Sequence, residues 1–146
     1  MILRRATEAD APAIAAVLRT TFRVSLPFLP ELHTPEQDLW FVREQMLVRD
    51  EVWVVEAGGG AIAGFVGFRE GWIDHLYVHP DWQGRGLGPE LLSKPLQYRQ
   101  ARRLWTFQKN ARARKFYEDH GFKLIELTDG AGNEEKEPDA LYEWRP

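Results

Sequence analysis

Residues 76–88 read LYVHPDWQGRGLG, a strand-like run followed by a loop rich in glycine. Leu76–Val78 is apolar and β-prone, and Pro80 marks its end because proline cannot continue a central ladder. Glycine allows a ligand to approach the backbone closely, and free amides at a helix N-terminus attract anions. The segment therefore predicts a strand, a phosphate- or diphosphate-binding loop with Arg85 beside it, and a helix that begins near Gly86.

Glycine-rich loops of three further kinds have to be considered. The simplest is a turn without a ligand, since glycine is common in turns. A dinucleotide-binding fingerprint needs G-x-G-x-x-G directly after the first strand. Here the glycines stand at positions 84, 86 and 88, and five residues separate Val78 from Gly84. The segment therefore fits the dinucleotide fingerprint poorly. A P-loop requires Gly-Lys-Ser/Thr; that sequence does not follow, so we exclude a P-loop.

Hydrophobic patterns on either side of the loop predict a mixture of helices and strands. Helices are predicted after Asp10, after Thr34, from Gly86 and after Asn110. Helices that lie between and around strands indicate an α/β or α+β class with one mixed sheet. Strands are predicted where β-branched and aromatic residues cluster between turn residues, at 52–55, 62–68, 72–78, 104–107, 122–127 and 141–144.

Three local signals concern the helix ends. Asp10 precedes Ala-Pro-Ala and is expected to cap the first helix. Thr34 and Gln37 form a capping box at the start of the second helix. Pro95 lies about nine residues into the helix after the glycine loop, where a proline costs ~3 kcal/mol or more. That helix is therefore expected to stop near Ser93 or to be kinked.

Composition narrows the functional classes. The chain has 146 residues, no cysteine and a formal net charge of −3. This length fits one domain spanning residues 1–146. The lack of cysteine excludes disulfide scaffolds, thiolate zinc sites and cysteine nucleophiles, and His33 and His79 have no neighbours that would complete a metal site. With no segment typical of a membrane span or a signal peptide, we expect a cytoplasmic protein that binds no nucleic acid, membrane or metal.

A second informative segment, residues 110–122, reads NARARKFYEDHGF. On a helix, Ala113, Phe116 and Tyr117 share one face, and Asn110 stands where a cap is expected. Taken alone, Tyr117 would most simply be a half-buried aromatic residue of the core. The segment gains a functional meaning only in combination with the glycine loop.

Together the two segments resemble the GNAT superfamily of N-acetyltransferases. Gln83–Gly88 matches that family's Q/R-x-x-G-x-G/A loop. Residues 110–122 match its later pattern of asparagine, a small residue at +3, an aromatic–tyrosine pair at +6 and +7, and a final Gly-Phe. The resemblance implies a mixed, mostly antiparallel central sheet of about seven strands flanked by about four helices, with strands splayed at the acyl-CoA site.

The resemblance also implies an activity and a set of residues. The enzyme would transfer the acetyl group of acetyl-CoA directly to a primary amine of a small molecule or peptide, without a covalent intermediate. Tyr117 would donate a proton to the departing CoA thiolate, since a phenol with a pKa near 10 stays protonated at neutral pH. The residues expected to contact acetyl-CoA are Leu76, Tyr77, Val78, Gln83, Gly84, Arg85, Gly86, Leu87, Gly88, Asn110 and Tyr117.

The residue that takes the proton from the amine is left open. Asp74 and His75 on the third predicted strand are the candidates, and an unperturbed histidine has the more suitable pKa, about 6.5. Neighbouring strand residues face opposite sides of a sheet, so one of the two should reach the substrate unless a bulge intervenes. Both side chains could equally lie on the sheet surface without a role.

The acceptor pocket is expected at the first two helices and their connecting loop, which carry Phe22 and Phe28, with Trp72 as a further aromatic wall. These residues suggest a partly apolar amine, or they simply complete the core. The acidic side chains of segment 133–139 are a second candidate for contacting the amine.

Two functions outside acetyl transfer remain as alternatives. A non-catalytic acyl-CoA-binding sensor or regulatory module would keep the glycine loop, although an intact Tyr117 favours an enzyme. A nucleotide-binding domain would use the same loop for another phosphate. A homodimer is left open, and the residues do not identify the acceptor.

Overall fold

One seven-stranded sheet organises the computed structural model, which describes all 146 residues. The strands lie in the order β1-β2-β3-β4-β5-β7-β6. Every neighbouring pair is antiparallel except β4 and β5, which are parallel. The strands are β1 (Ile2–Arg5), β2 (Glu51–Glu56), β3 (Ile62–Arg69), β4 (Trp72–Val78), β5 (Arg102–Phe107), β6 (Lys123–Leu127) and β7 (Asp139–Trp144).

Four helices cover the two faces of the sheet. α1 and α2 pack on the face that carries Val54 and Phe65, whereas α3 and α4 pack on the opposite face with Val55 and Val66, as strand alternation requires. None of the helices has the length and apolar character that a bilayer crossing needs. The helices are α1 (Ala11–Ser25), α2 (Pro35–Phe41, continued by a π-helical turn, Val42–Met46, and a last α-turn, Leu47–Arg49), α3 (Leu87–Leu96) and α4 (Ala111–Asp119).

The predicted architecture, a mixed and mostly antiparallel sheet flanked by helices, is confirmed. The capping box is present as well: Gln37 N donates to Thr34 Oγ1 at 3.1 Å, and Thr34 N donates to Gln37 Oε1 at 2.9 Å. α3 begins directly after Gly86. These helix starts were predictable because each depends on residues adjacent in sequence.

Asp10 does not cap the first helix with its side chain. Its carboxylate accepts hydrogen bonds from the Arg4 guanidinium at 2.8 and 2.9 Å and from Thr7 N at 2.7 Å. The bond from Arg4 holds the pKa of Asp10 down at about 2, although partial burial opposes this. An ion pair between β1 and the start of α1 replaces the predicted cap, because charge-assisted hydrogen bonds are the stronger ones.

Pro95 lies in the last turn of α3, and the helix runs past Ser93 to Leu96. The proline is buried, and its carbonyl oxygen accepts a hydrogen bond from Arg102 Nε at 3.3 Å. The helix therefore does not stop at Ser93, and the proline removes one main-chain donor from its last turn.

The two parallel strands part close to the start of β4. They share one residue pair, Trp72 with Arg103, supported by a hydrogen bond from Arg103 N to Gly71 O at 2.9 Å. Beyond this pair, β4 is bonded to β3 alone. We call the resulting opening between β4 and β5 the slot.

The backbone of β4 presents free groups to the slot. His79 N donates to Ala63 O on the β3 side at 2.8 Å. Because backbone groups alternate in direction along a strand, those of Leu76 and Val78 point away from β3. Val78 O accepts a hydrogen bond from Gln83 Nε2 at 3.0 Å, which leaves the Leu76 groups and Val78 N facing the slot. The splayed strands expected at the acyl-CoA site are therefore present, with backbone hydrogen-bonding groups along one wall.

Gly64 is a point of close approach between β3, β4 and α3. A Cβ there would lie 2.8 Å from Tyr77 O and 3.1 Å from Leu91 Cδ1. We expect Gly64→Ala to force these elements apart and to lower the free energy of unfolding by ~1–3 kcal/mol, measured by urea denaturation. Gly58→Ala is the matched control, since a Cβ at that turn would meet nothing within 4 Å. Equal loss of stability in the two variants would contradict the close approach.

Candidate active site

The glycine loop between β4 and α3 carries unpaired amides. Gly84 and Gly86 adopt φ angles of +78° and +81°, a left-handed conformation that favours glycine. The amides of Gly84, Arg85 and Gly86 donate no backbone hydrogen bond. A Cβ at Gly84 or Gly86 would meet no atom within 4 Å, so both residues border open space. Such amides at the start of a helix suit an anion, for example a diphosphate.

Gln83 ties this loop to three other elements. Its Nε2 donates to Val78 O at 3.0 Å and to Ser25 Oγ at 3.3 Å. Its Oε1 accepts a hydrogen bond from the Arg112 guanidinium at 2.8 Å. The side chain therefore fixes the loop against β4, α1 and α4, which keeps the free amides in one arrangement.

The other predicted loop residues have distinct surroundings. The Arg85 guanidinium lies over the Trp82 ring, 4.7 Å from its centroid, and leaves a positive charge beside the loop. Leu87 is buried in the core between the sheet and α3. Gly88 lies against α4, where a Cβ would come within 3.1 Å of Phe116 Cε1. Gly88 thus permits the close packing of α3 on α4.

α4 carries Tyr117 into the core beside the loop. Asn110 caps this helix, its Oδ1 accepting from Ala113 N at 3.2 Å. Tyr117 is buried and packs against Phe122 with ring centroids 5.3 Å apart. Burial raises the pKa of Tyr117, and the Tyr77 phenol adds to the effect. The phenol therefore holds its proton at neutral pH.

A cavity of about 1170 Å³ opens between α1, α2, β4, β5 and the loop that joins β6 to β7. Aromatic rings and carboxylates line it together. Phe22 of α1 and Tyr77 of β4 both lie there, with ring centroids 5.6 Å apart. Further lining residues include Trp40, Asp74, His75, Trp105, Glu134 and Glu135.

Phe28 and Trp72 are not among the residues that line this cavity, and their place at the acceptor stays a prediction. Phe28 packs edge-on against Phe107, with centroids 6.2 Å apart. Trp72 lies at the closed end of the slot, and the Arg69 guanidinium stands 5.7 Å from its ring centroid. Of the three predicted aromatic residues, Phe22 alone faces the cavity.

A bulge in β4 brings both candidate bases to the cavity. Gly67 pairs with His75 and Phe68 pairs with Ile73, so Asp74 has no partner on β3. Asp74 and His75 consequently both line the cavity, although adjacent strand residues normally face opposite sides.

The two candidates differ in their proton chemistry. Burial lowers the pKa of His75 to about 4, with Asp74 opposing the shift. The imidazole is therefore neutral at pH 7 and a weak base, and its buried Nε2 has no hydrogen-bond partner. Asp74 is held by Arg69 Nε at 2.8 Å and, more loosely, by Arg49 at 3.8 Å. Its side chain keeps 15% of its surface exposed.

Sequence reasoning missed Asp50. This residue follows α2 and directly precedes β2, and its side chain is fully buried (0% exposed). Burial, and then the neighbouring Asp74 carboxyl, raises the pKa of Asp50 to about 6, while Arg49 opposes the shift. No motif marks the position, because its contact with Asp74 joins segments far apart in the chain.

The acidic segment 133–139 forms one wall of the cavity. Glu134 Oε1 lies 2.7 Å from His33 Nε2, which links this segment to the loop between α1 and α2. Glu135 lines the cavity, and its carboxylate adds to the burial that raises the pKa of Tyr77. The carboxylates of the acidic segment therefore lie in the cavity, where they could contact an amine.

Comparisons with known proteins agree with this geometry. Residues 48–124 match the family model described as acetyltransferase (GNAT) domain. An uncharacterized N-acetyltransferase from Archaeoglobus fulgidus is 30% identical over 152 residues, which cover 92% of this chain and 100% of that protein. The peptidyl-lysine N-acetyltransferase YiaC from Escherichia coli is 28% identical over 131 residues, which cover 86% of this chain and 85% of that protein.

A solved structure has the same fold. The structure of yncA from Salmonella typhimurium with its cofactor acetyl-CoA matches with a TM-score of 0.76 at 20% identity, over 99% of this chain and 93% of that one. The family model spans more than half of this chain, and the Archaeoglobus relative matches along its whole length. The chain therefore belongs to the GNAT superfamily and is an acetyl-CoA-dependent acetyltransferase.

Proposed function

We propose that the enzyme transfers the acetyl group directly from acetyl-CoA to a primary amine of a small molecule or a peptide. The observation that carries this proposal is the slot between β4 and β5, with the glycine loop beyond the end of β4 and a large cavity lined in part by both strands. A thioester in the slot and an amine in the cavity would meet near Asp74 and Tyr117. Holding two reactants in such an arrangement supplies much of the rate acceleration.

Acetyl-CoA would be held mainly by backbone groups. The amides of Gly84, Arg85 and Gly86 would bind the diphosphate, with the Arg85 guanidinium nearby. The outward groups of Leu76 and the amide of Val78 would pair with the pantetheine arm. A backbone amide of this strand would also stabilise the oxyanion that develops on the thioester carbonyl.

The chemistry requires one proton donor and one proton acceptor. The amine nitrogen attacks the thioester carbonyl, the C–N bond forms and the C–S bond breaks. Tyr117 would protonate the departing sulfur, a role that suits a phenol with a raised pKa. Asp74 would accept the proton of the amine, because it reaches the cavity and the lowered pKa of His75 makes that imidazole a poor base.

The lining of the cavity favours a cationic amine with an apolar body. Aromatic rings such as those of Phe22 and Trp40 accept methylene groups and cations, and the Glu135 carboxylate attracts the positive charge. A lysine side chain of a peptide has this character, and the relative from Escherichia coli bears the name of a peptidyl-lysine acetyltransferase. Free aliphatic amines share the same chemistry, so both classes belong in an acceptor screen.

Replacing Tyr117 by Phe removes the proposed proton donor while keeping the ring. We expect kcat to fall roughly 10²-fold with little change in the Kd for CoA, as measured by thiol release with an amine panel and by calorimetry. Tyr98→Phe is the matched control, because the Tyr98 hydroxyl bonds to Glu51 outside the cavity. Tyr117→Phe with the turnover of the wild type would exclude Tyr117 as the donor.

The same amine panel separates catalysis from sensing. If the wild-type protein bound acetyl-CoA but acetylated no free amine and no lysine peptide above background, the acyl-CoA sensor would be the better description. Acetylation of any panel member, identified by mass spectrometry of the product, supports the proposed function.

Glu135→Gln removes a negative charge from the cavity wall without changing the size of the side chain. We expect the KM for a cationic amine to rise about fivefold, equivalent to ~1 kcal/mol, with kcat nearly unchanged. Glu126→Gln is the control, since Glu126 lies on β6 and does not line the cavity. A KM that is the same in Glu135→Gln and the wild type would remove Glu135 from acceptor binding.

A further inference from the structure

Asp50 is a buried acid that packing alone does not explain. Its side chain has no exposed surface, and no N–H group donates to its buried Oδ2. The donor it has is Arg49 Nε, 3.2 Å from Oδ1. A carboxylate buried with an unsatisfied oxygen costs free energy. Burial of this kind favours the protonated carboxyl, which can itself donate a hydrogen bond.

Gly67 creates the space that Asp50 occupies. A Cβ at Gly67 would lie 3.1 Å from Asp50 Oδ2 and 3.5 Å from His75 Cδ2. Gly67 is also the last residue of β3 that pairs in register before the bulge at Asp74. Asp50 therefore reaches over β3, where a side chain is lacking, to the part of β4 that carries the two candidate bases.

Asp50 and Asp74 lie beside each other and share one cation: Arg49 Nε is 3.2 Å from Asp50 Oδ1, and Arg49 Nη2 is 3.8 Å from Asp74 Oδ2. After burial, the Asp74 carboxyl raises the pKa of Asp50, as a hydrogen bond from a protonated Asp50 carboxyl to Asp74 does. Two carboxyl groups can share such a bond when one of them is protonated, so their titrations belong to the pair. The charged or titratable groups that face the pair are Arg49, which contacts both members, Arg69, which contacts Asp74, and His75, which is neutral. Asp74 lines the cavity and Asp50 does not.

We propose that Asp50 is a positioning residue for the proton acceptor: it holds Asp74 at the bulge and shares the proton that Asp74 takes from the amine. An N–H bond of the acceptor ammonium breaks, an O–H bond forms on Asp74, and the pair later releases this proton to water. The inference rests on the proposed function, because it assigns a partner to the base of that reaction. It adds a residue that does not touch the substrate.

The pH dependence of kcat/KM tests the shared proton. In the wild type we expect kcat/KM to fall on the acid side of about pH 6, and we call this part of the profile the acid limb. The raised pKa of Asp50 sets the pH at which the pair loses its shared proton. Asp50→Asn keeps the shape of the side chain but removes the carboxyl whose raised pKa sets the acid limb. We expect the acid limb to move at least one pH unit lower, with a plateau reduced roughly tenfold because Asp74 loses the partner that positions it.

Glu51→Gln is the control for this pH profile. It changes the next carboxylate in the chain, which bonds to Trp53 and Tyr98 outside the cavity, and its acid limb should match that of the wild type. If Asp50→Asn lowers the rate equally at every pH and leaves the limb in place, Asp50 is a structural residue and the inference is wrong. The proposed function would stand in that case, since acetylation continues.

A measurement on the wild-type protein covers the case in which Asp50→Asn does not fold. Carbon-13 NMR of the aspartate carboxyl carbons should detect two carbons that respond together to a titration at about pH 6. If the carboxyl carbon of Asp50 titrates below pH 5 and independently of Asp74, the shared proton does not exist. Failure of the wild type to acetylate any amine would instead overturn the proposed function, and with it this inference.

Discussion

The parting of β4 from β5 is the constraint on which the site depends. The two strands are parallel, pair at Trp72 and Arg103, and then diverge. A closed sheet would satisfy the backbone groups of Leu76 and Val78 internally. The divergence leaves the Leu76 groups and the Val78 amide free along an opening that a linear ligand can fill, while Val78 O bonds to Gln83. The opening also connects the two faces of the sheet. Tyr117 lies on the α4 side of it, and the acceptor cavity lies on the α1–α2 side.

The glycine loop completes this opening with a binding site made of backbone. Gly84 and Gly86 hold positive φ angles, which would strain any other residue type. Gln83 bonds to β4, α1 and α4 and so keeps the amides in a fixed direction. A preorganised set of donors at a helix N-terminus binds an anion without first being ordered, which explains how a chain with a net charge of −3 can hold a polyanionic cosubstrate.

The features predictable from sequence are those set by neighbouring residues. The glycine loop, the Thr34 capping box and the Asn110 cap each depend on a few consecutive positions, and all three form in the structure. The mixed sheet followed from the order of helices and strands, together with the family resemblance. Asp10 escaped prediction because its partner, Arg4, offers a charge that local cap rules do not consider.

The parts that could not be predicted depend on contacts between distant segments. Asp50 lies beside Gly67 of an intervening strand, where a Cβ would come within 3.1 Å of its Oδ2, and no local pattern records that. The bulge that turns Asp74 toward the cavity is a register shift of one residue, which hydrophobic alternation does not specify. Trp72 is predicted as an aromatic wall of the acceptor pocket; in the structure it lies where the strands still pair and does not line the cavity.

A crystal structure of the protein with CoA is the most direct measurement of the central claim. The account predicts diphosphate oxygens within about 2.7–3.2 Å of the amides of Gly84, Arg85 and Gly86, with the pantetheine arm lying between β4 and β5. A diphosphate bound elsewhere, with these amides still facing solvent, would contradict it.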